Sequence, residues 1–142
     1  MDDIQIAGAC NCFALRQATR FVTQIYERHL SPLGVTPAQF SIMAILSRRP
    51  DVLMSDLADA LVMDRTTLLR ALKPLQRDGL VEAGASEQDA RAHALNLTKL
   101  GKRTFGHAKR AWQDAQDEFE AQFGEGRAKA LRDELFTLTG KR

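Results

Sequence analysis

From Thr98 to Phe123 apolar residues recur at helical spacing: Leu100, Phe105, Ala108, Ala111, Trp112, Ala115, Phe119 and Phe123, with Thr104 on the same stripe. Spacings of three and four mark an amphipathic α-helix, and about 25 residues of it make a rod of roughly 38 Å. A chain of 142 residues builds one core of modest size, which such a rod outruns. The stripe is therefore expected to meet a second chain, together with two other helices. One, at 13–30, carries Leu15, Ala18, Thr19, Val22, Ile25, Tyr26 and Leu30; the other, from about 125 to 138, carries Ala128, Leu131, Leu135 and Leu138.

Between these flanks the punctuation is dense. Thr36-Pro37-Ala38-Gln39 is a capping box with proline at the first helical position. It opens a helix with Phe40, Met43, Ala44 and Leu46 on its buried face, closed by Arg49-Pro50. A short helix begins at Ser55 and holds Leu57, Ala58 and Leu61. After the link Val62-Met63-Asp64 a fourth helix starts on Asp64 as N-cap and stops at Gly79, a left-handed cap. Strands are predicted at 80–83, "LVEA", and 93–97, "HALNL", with Leu95 and Leu97 on one face; Thr98 then caps the long helix. This order describes a mainly α protein with a small β-hairpin wing. Within a single domain at 1–142, a winged helix-turn-helix at 36–97 is flanked by association helices at 10–35 and 98–142.

The fourth helix divides sharply when its residues are placed 100° apart from Arg65. Arg65, Thr66, Lys73, Gln76, Arg77 and Arg70 fall between about 0° and 140°, and Leu68, Leu72 and Leu75 between about 280° and 340°. From Arg65 to Arg77 there are four bases and no acid. A basic face on a helix that follows a short helix and a tight turn suits the major groove of DNA. Arginine can fork onto guanine O6 and N7, while lysine and threonine suit phosphates or single acceptors. The expected DNA contacts are Arg65, Thr66, Thr67, Leu69, Arg70, Lys73 and Arg77. Leu69, at about 40° on the wheel, interrupts the polar face; it either touches a thymine methyl or packs on the wing. Pro74, mid-helix, removes one hydrogen bond and is expected to bend or loosen the C-terminal half.

Composition argues against other classes. No apolar run approaches the roughly 20 residues of a membrane span. The acidic start "MDDIQIAGAC" does not resemble a signal peptide, so a cytoplasmic location without membrane attachment is expected. No Gly-rich phosphate loop occurs, and His29, His93 and His107 are not spaced with a nucleophile. Cys10 and Cys12 supply half of a zinc ligand set at best. Neither enzymatic activity nor a cofactor or metal is expected. A protein-interaction module built on a winged helix is the remaining alternative, favoured if the basic face fails to bind duplex DNA.

Three stretches together resemble the MarR family of bacterial transcriptional regulators: "CFALRQATRFVTQIYERHLSPLGVTPAQFSIMAIL" at 12–46, "LADALVMDRTTLLRALKPLQRDGLV" at 57–81 and "DARAHALNLTKLG" at 89–101. The last fits the family's wing pattern of Asp, any residue, Arg, then Leu-x-Leu-Thr-x-x-Gly. The resemblance implies a homodimer with interleaved terminal helices, reading a pseudo-palindromic operator and repressing nearby genes. It implies that Arg91 enters the minor groove, held by Asp89, where a narrow groove concentrates negative potential. It also implies release of DNA by a small aromatic or phenolic ligand in a cleft between the dimer helices and the lobe, with Arg16, Arg20 and His29 as candidate ligand contacts. "CFAL" resembles the start of the first helix in the family's peroxide-sensing branch, which makes Cys12 an alternative thiol sensor because a helix N-terminus lowers a thiol's pKa.

Overall fold

A computed structural model of the chain describes residues 2–85 and 93–142. Its elements are α1 (Asp3–Ala9), α2 (Asn11–Leu30), a 3₁₀ turn at Ser31–Leu33, α3 (Pro37–Leu46), β1 (Val52–Leu53), α4 (Met54–Leu61), α5 (Arg65–Arg77), β2 (Val81–Ala85), β3 (His93–Leu97), α6 (Lys99–Phe123) and α7 (Glu125–Thr139). Three antiparallel strands lie in the order β1-β3-β2, with Val52 opposite Leu95 and Val81 opposite Leu97. The middle of the chain is thus a winged helix-turn-helix, with α4 and α5 packed on α3 and on the sheet.

The local signals act as their chemistry dictates. Thr36 N–H donates to Gln39 Oε1 at 3.0 Å and Gln39 N–H to Thr36 Oγ1 at 3.1 Å, closing the capping box. Gly79 sits at φ +73°, the left-handed region where glycine has no steric penalty. Asp64 and Thr98 both cap, each accepting from the backbone N–H three residues on. Leu68, Leu72 and Leu75 of α5 are buried among Leu30, Ile42, Met43, Val52, Leu57 and Leu95, one continuous core. That enclosure holds α5 through Pro74, and the helix continues to Arg77 without a break.

Two elements appear that the sequence pattern does not announce. α1 precedes α2, capped by Asp2 through the Gln5 N–H at 2.8 Å. β1 contains only two residues and is fastened at its start by Asn96, whose side chain accepts from Asp51 N–H at 2.9 Å and donates to Asp51 Oδ1 at 2.8 Å.

The expectation that the whole α6 stripe meets another chain requires correction. Phe105, Ala108, Ala111 and Trp112 pack on the chain's own core, Phe40 stacks on Trp112 with ring centroids 6.0 Å apart, and Ala115 is fully buried. The reason is that α2 lies along α6 and α3 closes against it. A single chain therefore supplies much of the partner surface. On the flanking helices Ile4, Ile6, Phe13, Leu15 and Phe21 of α1 and α2 and Leu131, Leu135 and Leu138 of α7 remain bare, as does Leu100 at the start of α6.

α2 and α6 are also tied by polar contacts. Arg28 forks onto Glu118 at 3.2 and 2.5 Å, and His29 Nε2 lies 3.0 Å from Glu118 Oε1. These partners push the Glu118 carboxyl down to about 2, the Arg28 hydrogen bonds contributing most and His29 next. The Tyr26 hydroxyl donates to Gln116 Oε1; half-burial, then the Glu120 charge, raises its pKa, with Arg132 opposing.

Candidate nucleic-acid interface

The turn before α5 sets how that helix is presented. Val62 ends α4 in the left-handed region at φ +53°, and Met63 N–H reaches back to the Ala58 carbonyl at 2.9 Å. Asp64 then receives the Thr67 N–H at 2.7 Å. Backbone and hydroxyl hydrogen bonds from Thr67 hold the Asp64 carboxyl below its ordinary range, so it stays an anionic cap. With the leucine triad buried, the opposite face is turned outward: Arg65, Thr66, Thr67, Leu69, Arg70, Lys73 and Arg77 are all exposed.

Their charges are not equally available. Arg77 is folded onto Asp78, with Nε 3.1 Å from Oδ1. Arg65, Arg70 and Lys73 form no ion pair with any described residue. Three exposed cations without a described acidic partner thus share one helical face, the arrangement that attracts a polyanion and suits bidentate guanidinium contacts. Asp89 and Arg91 lie outside the described residues.

The structure separates the candidate ligand residues. Arg16 and Arg20 project from the exposed stretch of α2 and line none of the described cavities, while His29 is engaged with Glu118. A different set of bases converges. Arg48, Arg49, Lys102 and Lys109 surround a cleft of about 590 Å³ where the end of α3 meets β3 and α6, floored by Leu46, Leu97 and Phe105. Lys109 Nζ stands 5.5 Å from the Phe105 ring centroid. No acid lines this cleft among the described residues. Sequence reading missed it because its bases come from segments more than 50 residues apart, and only "SRRP" at 47–50 gave a hint.

At the start of α2 the N-cap is Cys10, not Cys12. The Cys10 sulfur accepts the Phe13 N–H at 3.3 Å, whereas Cys12 lies exposed in the first turn.

A winged helix-turn-helix with an exposed basic face on its second helix and long flanking helices is an architecture that DNA-binding regulators use. Comparison with known proteins agrees. The MarR family model matches residues 33–92. The homoprotocatechuate degradative operon repressor of Escherichia coli is 31% identical over 110 residues, covering 78% of this chain and 72% of that protein. A putative transcriptional regulatory protein for the hcr operon of Thauera aromatica is 25% identical over 112 residues, 79% of this chain; the chain spans 63% of that relative's length. Among solved structures, the repressor CouR bound to a 23-mer DNA duplex superposes with a TM-score of 0.84 at 27% identity, over 97% of this chain and 98% of that one. The Mycobacterium tuberculosis regulator MosR in complex with DNA gives 0.81 at 36% identity, over 92% and 94%. CouR is also known bound to p-coumaroyl-CoA. The chain belongs to the MarR family.

Proposed function

We propose that the protein is a homodimeric, sequence-specific DNA-binding repressor. The observation that carries this reading is the α5 face, where Arg65, Arg70 and Lys73 stand exposed, without acidic partners among the described residues, beside a fully buried leucine triad. Arg65 and Arg70 read base edges, while Thr66, Thr67, Lys73 and Arg77 hold phosphates. Asp89 and Arg91 join them from the wing, as the sequence resemblance implies. Self-association follows from the bare apolar ends of α1, α2 and α7. A two-fold dimer sets two recognition helices about 34–36 Å apart, matching a pseudo-palindromic operator. The decisive measurement is a binding titration at fixed salt against the duplex upstream of the protein's own gene. Arg70→Ala should weaken binding by about 1–3 kcal/mol with an unchanged melting temperature. Failure to bind duplex at any salt would favour the protein-interaction alternative.

The effector belongs in the basic cleft rather than beside Arg16 and Arg20. Arg48, Lys102 and Lys109, with Arg49 shared with Asp56 at 3.7 Å, around an apolar floor with an aromatic ring suit an aromatic acid or its acyl thioester. Such a ligand would bridge the lobe to α6, a position from which it can bias lobe orientation. Adding candidate aromatic acids to the titration should release DNA from the wild type but not from a Lys102→Ala, Lys109→Ala variant.

One observation favours a second reading, the thiol switch. The Cys10 sulfur sits at the mouth of α2, where it accepts the Phe13 N–H at 3.3 Å, and a thiolate is the form of cysteine that reacts with oxidants. Attack of that thiolate on a hydroperoxide's terminal oxygen breaks the O–O bond, giving a sulfenic acid and, after protonation, an alcohol. Peroxide should then release DNA from Cys12→Ser but not from Cys10→Ser; the opposite result assigns the role to Cys12.

A further inference from the structure

Resting on the DNA-binding reading, we propose that Leu69 is a specificity-determining residue that reads the 5-methyl group of a thymine in each half-site.

The inference starts from an incongruity on α5. Leu68, Leu72 and Leu75 account for the buried side of the helix. Leu69 is not among them: it stays 44% exposed and takes no part in the core. At about 40° on the wheel it stands between Arg65 and Lys73, one turn away on either side, with Thr66 adjoining. An apolar side chain amid cations whose partner is a polyanion must meet whatever apolar surface that partner offers. In the major groove of DNA that surface is the thymine methyl, the one apolar substituent on a base edge. Arg65 and Lys73, fixed by phosphates or guanines on either side, bring the Leu69 methyls to the groove floor, where branched aliphatic and methyl surfaces exclude water from each other.

The α5 face then predicts part of the operator: a thymine within about two base pairs of the positions read by Arg65 and Arg70. It also explains why an exposed leucine is tolerated at the centre of a charged face, since its exposure ends on binding.

The test begins with operators selected from a random duplex pool by the full-length protein. Each thymine of the selected half-site is then replaced singly by deoxyuridine, which keeps the pairing edge and removes only the methyl. Wild type should bind about fourfold more weakly at one such position in each half-site, the loss expected for one buried methyl. Leu69→Ala should bind all selected operators more weakly and lose that difference, while Leu69→Met should keep part of it. Indifference of the wild type to every replacement, a selected half-site without thymine, or a difference that persists in Leu69→Ala would each overturn the inference. In all three cases duplex binding itself survives. If no duplex is selected, the DNA-binding reading fails and this inference with it.

Discussion

At its Lys99 end, α6 is enclosed by the lobe: Gly101 and Ala108 are buried, and Phe105 and Trp112 lie against Phe40. Towards Phe123 the same helix borders an open apolar groove of about 420 Å³ between α2 and α7, walled by Leu15, Val22, Phe119, Leu131 and Leu135. One periodic stripe thus serves two purposes. Near the lobe it completes a core that a single chain can close; farther out it borders an apolar groove that stays open. The difference lies in what faces the helix, because the stripe itself does not change character along its length.

The sharpest break in this comparison comes from two glycines on α6. A Cβ on Gly101 would stand 2.0 Å from the Leu80 carbonyl oxygen, whereas one on Gly106 meets nothing within 4 Å. The Leu80 carbonyl cannot retreat, because it accepts from Thr98 N–H at 3.1 Å, and the Thr98 hydroxyl donates to the Gly79 carbonyl at 2.6 Å. Gly101→Ala should destabilise by about 3 kcal/mol, the upper end of ordinary overpacking. Gly106→Ala should stabilise by about 1 kcal/mol through helix propensity. Urea denaturation of both decides the matter; a similar gain in each would show that helix propensity, not the contact with the Leu80 carbonyl, governs this end.

The outer half is tested by charge. Leu131→Arg with Leu135→Arg should weaken self-association by at least about tenfold, since each leucine would otherwise be buried at a cost to exposure of about 1.5–3 kcal/mol. The lobe should keep its fold because neither side chain touches the core. Sedimentation with circular dichroism separates the outcomes, and loss of helical signal in the monomer would mean that the outer half also supports the inner one.

These contrasts show which parts were legible beforehand. Capping at Thr36, Asp64 and Thr98 and the Leu68-Leu72-Leu75 triad depend on residues within a few positions of each other, so sequence spacing reveals them. The pattern Leu95-x-Leu97-Thr98-x-x-Gly101 was visible as a motif, yet the reason for its glycine lies 21 residues back, at the Leu80 carbonyl. β1 has no period to detect and exists through Asn96 and the pairing with β3. The basic cleft likewise needs two distant segments brought together. The fate of the α6 stripe could not be read from the stripe, because its apolar residues look alike whether α3 or another chain covers them. For the interface, the exposed bases of α5 were legible from the wheel, but Arg77's engagement with Asp78 was not.

Where α2 crosses α6, the boundary between the two halves carries a pH dependence. Glu118 is held at about 2 against an ordinary 4.5 by Arg28 and His29. A carboxyl lowered by folding contributes fully above pH 4.5 and loses its contribution as pH falls from there towards 2. Glu118→Gln should therefore melt below wild type at neutral pH, with the gap narrowing as the solution is acidified below pH 4.5. A gap that is constant with pH would assign the loss to altered hydrogen bonding with Arg28 and His29 instead of the carboxylate's charge.

The smallest effect is expected where the outer half returns to the lobe. Val62 and Leu138, 66% and 73% exposed, line a shallow groove between the helix-turn-helix turn and the end of α7, beside the Lys141–Asp59 pair at 2.6 Å. Val62 holds φ +53°, which costs an L-residue roughly 1–2 kcal/mol and suits a β-branched one least. Glycine removes that strain but gives back about 0.5–1 kcal/mol in unfolded-chain entropy. Val62→Gly should therefore stabilise by about 0.5 kcal/mol, read as a small rise in the urea midpoint. A loss of stability would mean that the valine's contact with the α7 end outweighs its backbone strain. That result would make the turn before α5 a point where the flanking helices help to position the recognition helix.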